Sequence, residues 1–82
     1  MRSTTAYAQV TLYDITLGGS IIGQGESFQE AKINARRLSL APGFKNRLVR
    51  VHDLDGEVII FECRNGIDEF VAEEGSLFGW GR

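Results

Sequence analysis

The sequence is poor in the residues on which metal, disulfide and cofactor chemistry depend. Its 82 residues include one cysteine, one histidine and one proline. One cysteine permits no intramolecular disulfide, and a zinc site needs several histidine, cysteine or clustered acidic ligands. We therefore expect no metal site and no cofactor, and the scarcity of cysteine favours a reducing, cytoplasmic compartment.

Long apolar runs are also missing from the sequence. The longest uninterrupted run covers residues 58–61, whereas a helix needs about 20 apolar residues to cross a bilayer. Residues 1–6 lack the apolar stretch of a secretory signal. We expect a cytoplasmic protein with no membrane span and no membrane partner.

The composition that remains is that of an ordinary globular domain. Hydrophobic residues make up 43% of the chain and charged residues 24%, which is typical of folded proteins rather than of disordered ones. A chain of this length has room for one domain, which buries a comparatively small share of its surface. We predict a single domain over residues 1–82, to which oligomerisation would add stability.

Strand-type residues and turn signals predict two hairpins separated by one helix. Residues 7–17 are rich in β-branched and aromatic types, and Gly18 and Gly19 then favour a tight turn. Asp53 and Gly56 mark a second turn, between two further apolar runs. The prediction is an α+β fold of ββαββ order, a four-stranded antiparallel sheet with one helix packed on one face. Its segments are an N-terminal arm (1–6), a hairpin (7–25), a helix (27–41), a hairpin (47–63) and a C-terminal tail (67–82).

The predicted helix has a defined start, a defined end and one apolar stripe. Ser27 and Glu30 have the spacing of a capping box, in which the serine side chain accepts from the third helical amide. Pro42 disfavours helical geometry in the residue before it, so the helix ends near Ala41. The stripe is narrow enough to lie on a sheet, and it consists of Phe28, Ala31, Ala35 and Leu38.

The turn of the second hairpin decides which side chains face the core. Asp53 at its first position and Gly56 at its last favour a three-residue loop with a bulge, which places Asp53 opposite Glu57. In that register His52 and Cys63 lie on opposite faces, so they do not form a nucleophile and its base. We therefore predict no catalytic residues and no enzyme. The core face holds Val49, Val51, Ile59, Phe61 and Cys63, and the other face holds Arg50, His52, Val58, Ile60 and Glu62.

Apolar residues outside the predicted core indicate contact with a protein partner. One pair lies on the sheet and another on the helix, and paired apolar residues on a defined face are typical of contact surfaces. The tail adds aromatic residues, which are frequent anchors of interfaces. It either folds over its own sheet or docks on a second chain, and we expect a homodimer through the sheet pair or through the tail. The predicted contacts are Val58 and Ile60 on the sheet, Ile33 and Leu40 on the helix, and Phe78 and Trp80 in the tail.

Charge is distributed unevenly along the chain, although the net charge is only −2. Residues 31–52 contain six basic residues and no acidic one, and residues 53–74 contain eight acidic residues and one arginine. Either the opposite charges meet within the fold, or they mark surfaces for charged partners. Nucleic acid is the alternative partner because basic residues contact phosphates, but the negative net charge and the lack of a nucleic-acid-binding motif count against it. The basic residues concerned are Lys32, Arg36, Arg37, Lys45, Arg47 and Arg50.

Residues 25–38, with the sequence GESFQEAKINARRL, resemble the segment that leads into the helix of HicB-like antitoxins. In that family a hairpin strand leads through a glycine, an acidic residue and a serine or threonine into an alanine-faced helix. The hairpin predicted after the helix departs from the family, which has a single strand there. The hairpin–helix–hairpin order is also similar to small bacterial domains of unknown function, and the size and split charge resemble phage inhibitors of host defence.

These observations lead to one functional hypothesis and one alternative. The hypothesis is a non-catalytic protein-interaction module, a small inhibitor or antitoxin-like protein of bacterial or phage origin that binds a partner protein. The alternative is a nucleic-acid-binding module that uses the basic residues between positions 32 and 50. The sequence leaves open which protein is bound, and whether the basic stretch meets phosphate or the acidic segment of the chain.

Overall fold

The structure, a computed structural model, describes residues 12–72 and consists of one antiparallel sheet with one helix on one of its faces. The five strands have the spatial order β2-β1-β3-β4-β5, so β2 and β5 are the edge strands. The elements are β1 (Tyr13–Leu17), β2 (Ser20–Gly25), α1 (Phe28–Ser39), a short 3₁₀ helix (Pro42–Phe44), β3 (Val49–His52), β4 (Ile59–Arg64) and β5 (Ile67–Val71).

The predicted α+β class with a single helix is confirmed, but the predicted number of strands is wrong. Residues 67–71, which we expected in the tail, form a fifth strand paired antiparallel with β4. The connection is the two-residue turn Asn65-Gly66, in which both residues have positive φ, 54° and 79°. Asn-Gly favours this kind of hairpin turn because neither residue resists the left-handed conformation strongly. Residues 7–11 of the predicted first strand, and the predicted contacts Phe78 and Trp80, lie outside the described residues.

Helix α1 begins where its capping signal predicts. The Ser27 hydroxyl accepts a hydrogen bond from the Glu30 amide at 3.0 Å, and the Glu30 carboxylate accepts from the Glu26 amide at 2.8 Å. The first bond satisfies one of the amides that the first turn of a helix leaves without partners, and the second fixes the chain just before the helix. At the other end the Ala41 amide donates to Leu38, and Pro42 starts the 3₁₀ helix.

The core lies between α1 and one face of the sheet. Ala31 and Ala35 are fully buried and bring the helix close to the strands. The approach is closest at Gly25, where a Cβ atom would lie 2.6 Å from the backbone nitrogen of Ala31. Edge strand β2 therefore needs a residue without a side chain at this position. The buried strand residues are Ile15, Leu17, Val49, Val51, Ile60, Phe61 and Cys63.

The register of the β3–β4 hairpin differs from the prediction. Asp53 pairs with Val58 rather than Glu57, because the Asp53 amide donates to the Val58 carbonyl at 2.8 Å and the Asp53 carboxylate holds the Glu57 amide in the loop at 3.0 Å. His52 then pairs with Ile59, and a bulge follows before Val51 pairs with Phe61. The extra residue of the bulge is Ile60.

The bulge corrects the predicted position of Ile60. Its side chain is fully buried in the core instead of lying on the face away from the helix. Ile59, which we expected in the core, is only half-buried. The extra residue changes the alternation of side chains between the two faces. Ile60 therefore offers no surface for a partner, while Val49, Val51, Phe61 and Cys63 occupy the core face as predicted.

Ser39 connects the end of α1 to the turn between β4 and β5. Its hydroxyl is buried, accepts a hydrogen bond from the Gly66 amide at 2.8 Å and donates to the Arg36 carbonyl at 2.8 Å. Replacing Ser39 with alanine leaves the Gly66 amide without this acceptor, and we expect unfolding to become easier by about 1–3 kcal/mol. Urea denaturation measures the change.

The matched control for this substitution is Ser20→Ala, at an exposed serine in edge strand β2. A surface substitution of this kind changes stability by less than about 0.5 kcal/mol. Equal effects of the two substitutions would contradict the role assigned to Ser39.

Candidate interaction surface

The sheet face opposite α1 carries a row of paired side chains that crosses all five strands. Cα partners in neighbouring strands place their side chains on the same face. The central part of this open face is polar and satisfied: Arg50 Nε donates to Glu62 at 3.0 Å, and the Thr16 hydroxyl and His52 Nε2 share a hydrogen bond at 2.9 Å. The apolar members are at the two ends of the row. In spatial order the row is Ile21, Thr16, Arg50, Glu62 and Phe70.

Edge strand β5 provides the largest group of exposed apolar side chains in the described chain, and all five of its residues are exposed. Ile67, Phe70 and Val71 keep 68%, 44% and 42% of their surface accessible. Ile67 and Phe70 point away from α1, because their partners Arg64 and Glu62 alternate with the buried residues of β4. Val71 pairs with the buried Phe61 and therefore lies on the α1 side of the strand. We call Ile67, Phe70 and Val71, which lie together at this edge of the sheet, the β5 surface.

The two acidic residues of β5 are engaged by arginines of the same chain. Arg36 Nε and Nη2 donate to the Asp68 carboxylate at 2.7 and 2.9 Å, and Arg64 Nε donates to Glu69 at 2.9 Å. The Arg36 hydrogen bond holds the pKa of Asp68 below its ordinary value. Both pairs are solvent-accessible, so each contributes at most about 1 kcal/mol to stability. The two ion pairs matter more for the character of the β5 surface. They compensate the negative charges of Asp68 and Glu69, so the apolar side chains dominate what the strand exposes.

A bulge limits how β5 can pair with another strand. Its pairing with β4 shifts between Glu62 and Cys63, which leaves Glu69 as an extra residue. A bulged, short edge strand is a poor template for indiscriminate pairing with other chains. The β5 surface is therefore suited to contacts through its side chains rather than to extension of the sheet.

The other predicted contact residues are distributed around the molecule. Val58 is 53% exposed and lies in the β3–β4 loop, and Ile33 and Leu40 are exposed on α1 and just after it. Leu40 is the one next to the β5 surface: its Cδ2 lies 2.9 Å from the position of a Cβ atom on Gly66, the residue before Ile67. The β5 surface was not predicted, because its residues were assigned to the tail. The Asn65-Gly66 turn was the signal that would have identified the strand.

The predicted basic residues do not form one patch. Arg36 binds Asp68 and stacks over the Phe61 ring at 5.3 Å, and Lys32 lies over the Phe28 ring at 4.6 Å, both on α1. Arg50 lies on the opposite face of the sheet, bound to Glu62. Two basic residues of the 31–52 stretch thus meet acidic residues of the 53–74 stretch within the fold. The remaining residues, Arg37, Lys45 and Arg47, are exposed.

His52 and Cys63 are on different faces of the sheet, as predicted. Cys63 is buried beneath α1, and this burial raises the pKa of its thiol above the ordinary value. A thiol with a raised pKa is a poor nucleophile, because the thiolate is the reactive form. His52 is instead engaged with Thr16. Within residues 12–72, no group of three or more histidine, cysteine or acidic side chains is placed to hold a metal ion.

Comparisons with known proteins identified no relative of this chain. A scan against models of protein families and searches of curated proteins and solved structures found no match. The likeness of the segment leading into α1 to HicB-like antitoxins therefore stays a prediction from the sequence. No helix in the described part of the chain is long and apolar enough to cross a membrane.

Proposed function

We propose that this chain is a non-catalytic protein-interaction module that acts by covering a partner protein, in the manner of a small inhibitor or an antitoxin. The observation that carries the proposal is the β5 surface, on an edge strand whose five residues are all exposed and whose three large apolar side chains keep 42–68% of their surface accessible. Apolar groups gathered on one element in this way are typical of binding sites.

The magnitude of the apolar contribution indicates how large the interface must be. Complete burial of a large apolar side chain contributes about 1.5–3 kcal/mol, while association costs about 4–15 kcal/mol in lost freedom of motion. Three side chains that are already partly covered cannot supply this alone. The proposed interface therefore extends from the β5 surface to Leu40, with further contacts from Val58, Ile33, Phe78 and Trp80, the last two outside the described residues.

Self-association is part of the proposal, since a second copy of the chain is one partner that the β5 surface can take. The proposed dimer no longer includes Ile60, which is buried. Sedimentation of the purified chain at low and high salt separates a salt-resistant dimer from a monomer that awaits a different protein.

Nucleic acid binding has less support as the alternative. Its proposed contacts are split between α1 and the opposite face of the sheet, and Arg36 and Arg50 are already paired with carboxylates. A phosphate backbone would have to compete with the two hydrogen bonds that Arg36 donates to Asp68. Salt separates the two functions, because phosphate contacts weaken steeply with ionic strength and apolar contacts do not.

The test compares the wild-type chain with Phe70→Lys and with a control, Ile21→Lys. Ile21 is 60% exposed at the other end of the same row, so both substitutions add one lysine to the same sheet face. We expect Phe70→Lys to reduce partner binding at least about tenfold, the loss of one anchor of about 1.4 kcal/mol, in affinity capture at low and at high salt followed by analysis of the bound protein and nucleic acid. Ile21→Lys should bind as the wild type does.

Two results would contradict the proposal. One is a partner held equally by the wild type and Phe70→Lys. The other is a bound fraction that consists of nucleic acid and is removed by salt, which would support the alternative. Thermal denaturation of both variants checks that neither substitution acts by unfolding the chain.

A further inference from the structure

Among the described residues, those that line a cavity beside the β1–β2 turn include two arginines and no acidic residue. The cavity has a volume of about 290 Å³ and lies where the end of β1 meets the segment that enters β3. Its position is separate from the β5 surface, since β1 and β5 are not neighbours in the sheet. The lining residues are Leu17, Gly18, Arg47, Leu48 and Arg50.

Both arginines are held in place, Arg47 through its backbone amide and Arg50 through Nε. Their terminal nitrogens make no hydrogen bond to a described residue. The Arg47 amide donates to the Phe44 carbonyl at 3.1 Å, which fixes the backbone from which its side chain leaves. Arg50 is fixed within β3, and its Nε donates to Glu62 at 3.0 Å. Within residues 12–72, Nη1 and Nη2 of Arg50 make no hydrogen bond. A guanidinium anchored through Nε presents its terminal fork in a defined direction.

The turn leaves room for the Arg47 guanidinium. Gly18 has a φ of +62°, and a Cβ atom on it would lie 3.3 Å from Arg47 Nη2. A larger residue would therefore be strained by its backbone conformation and would also crowd the guanidinium. The next residue, Gly19, likewise has a positive φ and no side chain to cover the cavity. The space between the turn and the two arginines is thus kept open.

The chemistry of this lining selects an anion with several oxygens. Arginine binds phosphate through paired hydrogen bonds in a planar fork, and with Glu62 paired to Arg50 the two arginines leave one uncompensated positive charge beside the cavity. The chain as a whole has a net charge of −2, so the positive cavity is a local feature and not a consequence of a basic protein. Ligand pockets span about 300–1,000 Å³, and this cavity, at about 290 Å³, lies just below that range, which is a size suited to a small ligand.

From this arrangement we infer that Arg47 and Arg50 form a binding site for the phosphate group of a small phosphate monoester. The site is independent of the proposed protein-binding function and lies at β1 and β3, whereas the β5 surface is at the edge of the sheet. It assigns a role to Arg47, which has no side-chain partner among the described residues. Glu62 occupies only Nε of Arg50, so the ligand would be bound by the terminal nitrogens of that side chain.

The experiment is an NMR titration of the full chain, labelled with ¹⁵N, using inorganic phosphate and phenyl phosphate as probes. We expect saturable shifts centred on the amides of Gly18, Gly19 and Arg50. Arg47→Gln and Arg50→Gln should each weaken binding about tenfold or more, the fold-change that corresponds to one lost charge-assisted hydrogen bond. The control Arg37→Gln changes an arginine on α1, away from the cavity, and should leave the affinity unchanged.

Three outcomes would overturn the inference. The first is a linear, unsaturable response to both probes. The second is an equal loss in Arg37→Gln, which would indicate general attraction of anions. The third is binding of a mixed-sequence oligonucleotide through Arg47 and Arg50 without a saturable response to either small probe, which would assign the arginines to nucleic acid. A wild-type-like spectrum of each variant without probe confirms that the substitutions leave the fold intact.

Discussion

Replacing Gly25 with alanine is expected to remove a large part of the stability of the domain. The added Cβ atom would lie 2.6 Å from both the backbone nitrogen and the Cα of Ala31, and neither atom can move unless α1 moves as a whole. Overpacking a rigid contact costs about 1–3 kcal/mol and occasionally more, and a contact with helix backbone belongs at the upper end. A domain of this size has a total stability of roughly 4–12 kcal/mol, so the midpoint in urea should fall sharply.

Alanine substitutions at two other glycines serve as controls for this prediction. Gly23 faces the same helix, but a Cβ atom there would meet the far end of the flexible Leu38 side chain, at 2.8 Å, so Gly23→Ala should be tolerated better. A Cβ atom on Gly43 would meet no atom within 4 Å, and Gly43→Ala should change stability by less than about 0.5 kcal/mol. A Gly25→Ala variant as stable as Gly43→Ala would show that α1 does not lie against β2 as described.

The helix was predictable because its signals are local. Ser27 and Glu30 are three residues apart, and the bonds that they make depend only on the first turn of α1. The core residues of β3 and the end of β4 were predictable for a related reason, since alternation along a strand needs no knowledge of the rest of the chain. Both features follow from the residues themselves.

Strand β5 and the candidate interaction surface depend on contacts between distant residues. The sequence of β5 places two acids between apolar residues, and in isolation it has the pattern of an exposed segment. Asp68 becomes compatible with a strand at this edge because Arg36, on α1 and 32 positions earlier, binds it. Exposed apolar residues such as Val58 and Leu40 were identified by their position outside the periodic pattern, but only the folded chain places Leu40 beside the β4–β5 turn.

The position of Ile60 depends on a bulge that alternation alone does not reveal. Val58, Ile59, Ile60 and Phe61 are all apolar, so any register puts apolar residues on both faces of the strand. The Asp53 carboxylate fixes the loop by binding the Glu57 amide, and the extra residue then turns both Ile60 and Phe61 toward the core. Competition between loop geometry and core packing decides the register, and neither can be inferred from four consecutive apolar residues.

The buried position of Ile60 leads to the second large effect that we expect. Ile60→Lys would place a charged amine among core side chains with no described acidic residue in the core cluster to pair with it. An unpaired charge in a protein interior costs several kcal/mol, which is comparable with the whole stability of a domain of this size. We expect this variant to be unfolded or to have lost most of its cooperative transition in urea, as measured by circular dichroism.

Val58→Lys is the matched control, because Val58 is two residues away and 53% exposed. It should fold with a stability within about 0.5 kcal/mol of the wild type, since an exposed lysine keeps its hydration. The comparison separates the two registers of the hairpin: if Ile60 lay on the open face with Val58, both lysines would be solvated and both variants would fold. A stable Ile60→Lys chain would therefore support the three-residue loop predicted from the sequence. Ile60 would then again be a proposed partner contact.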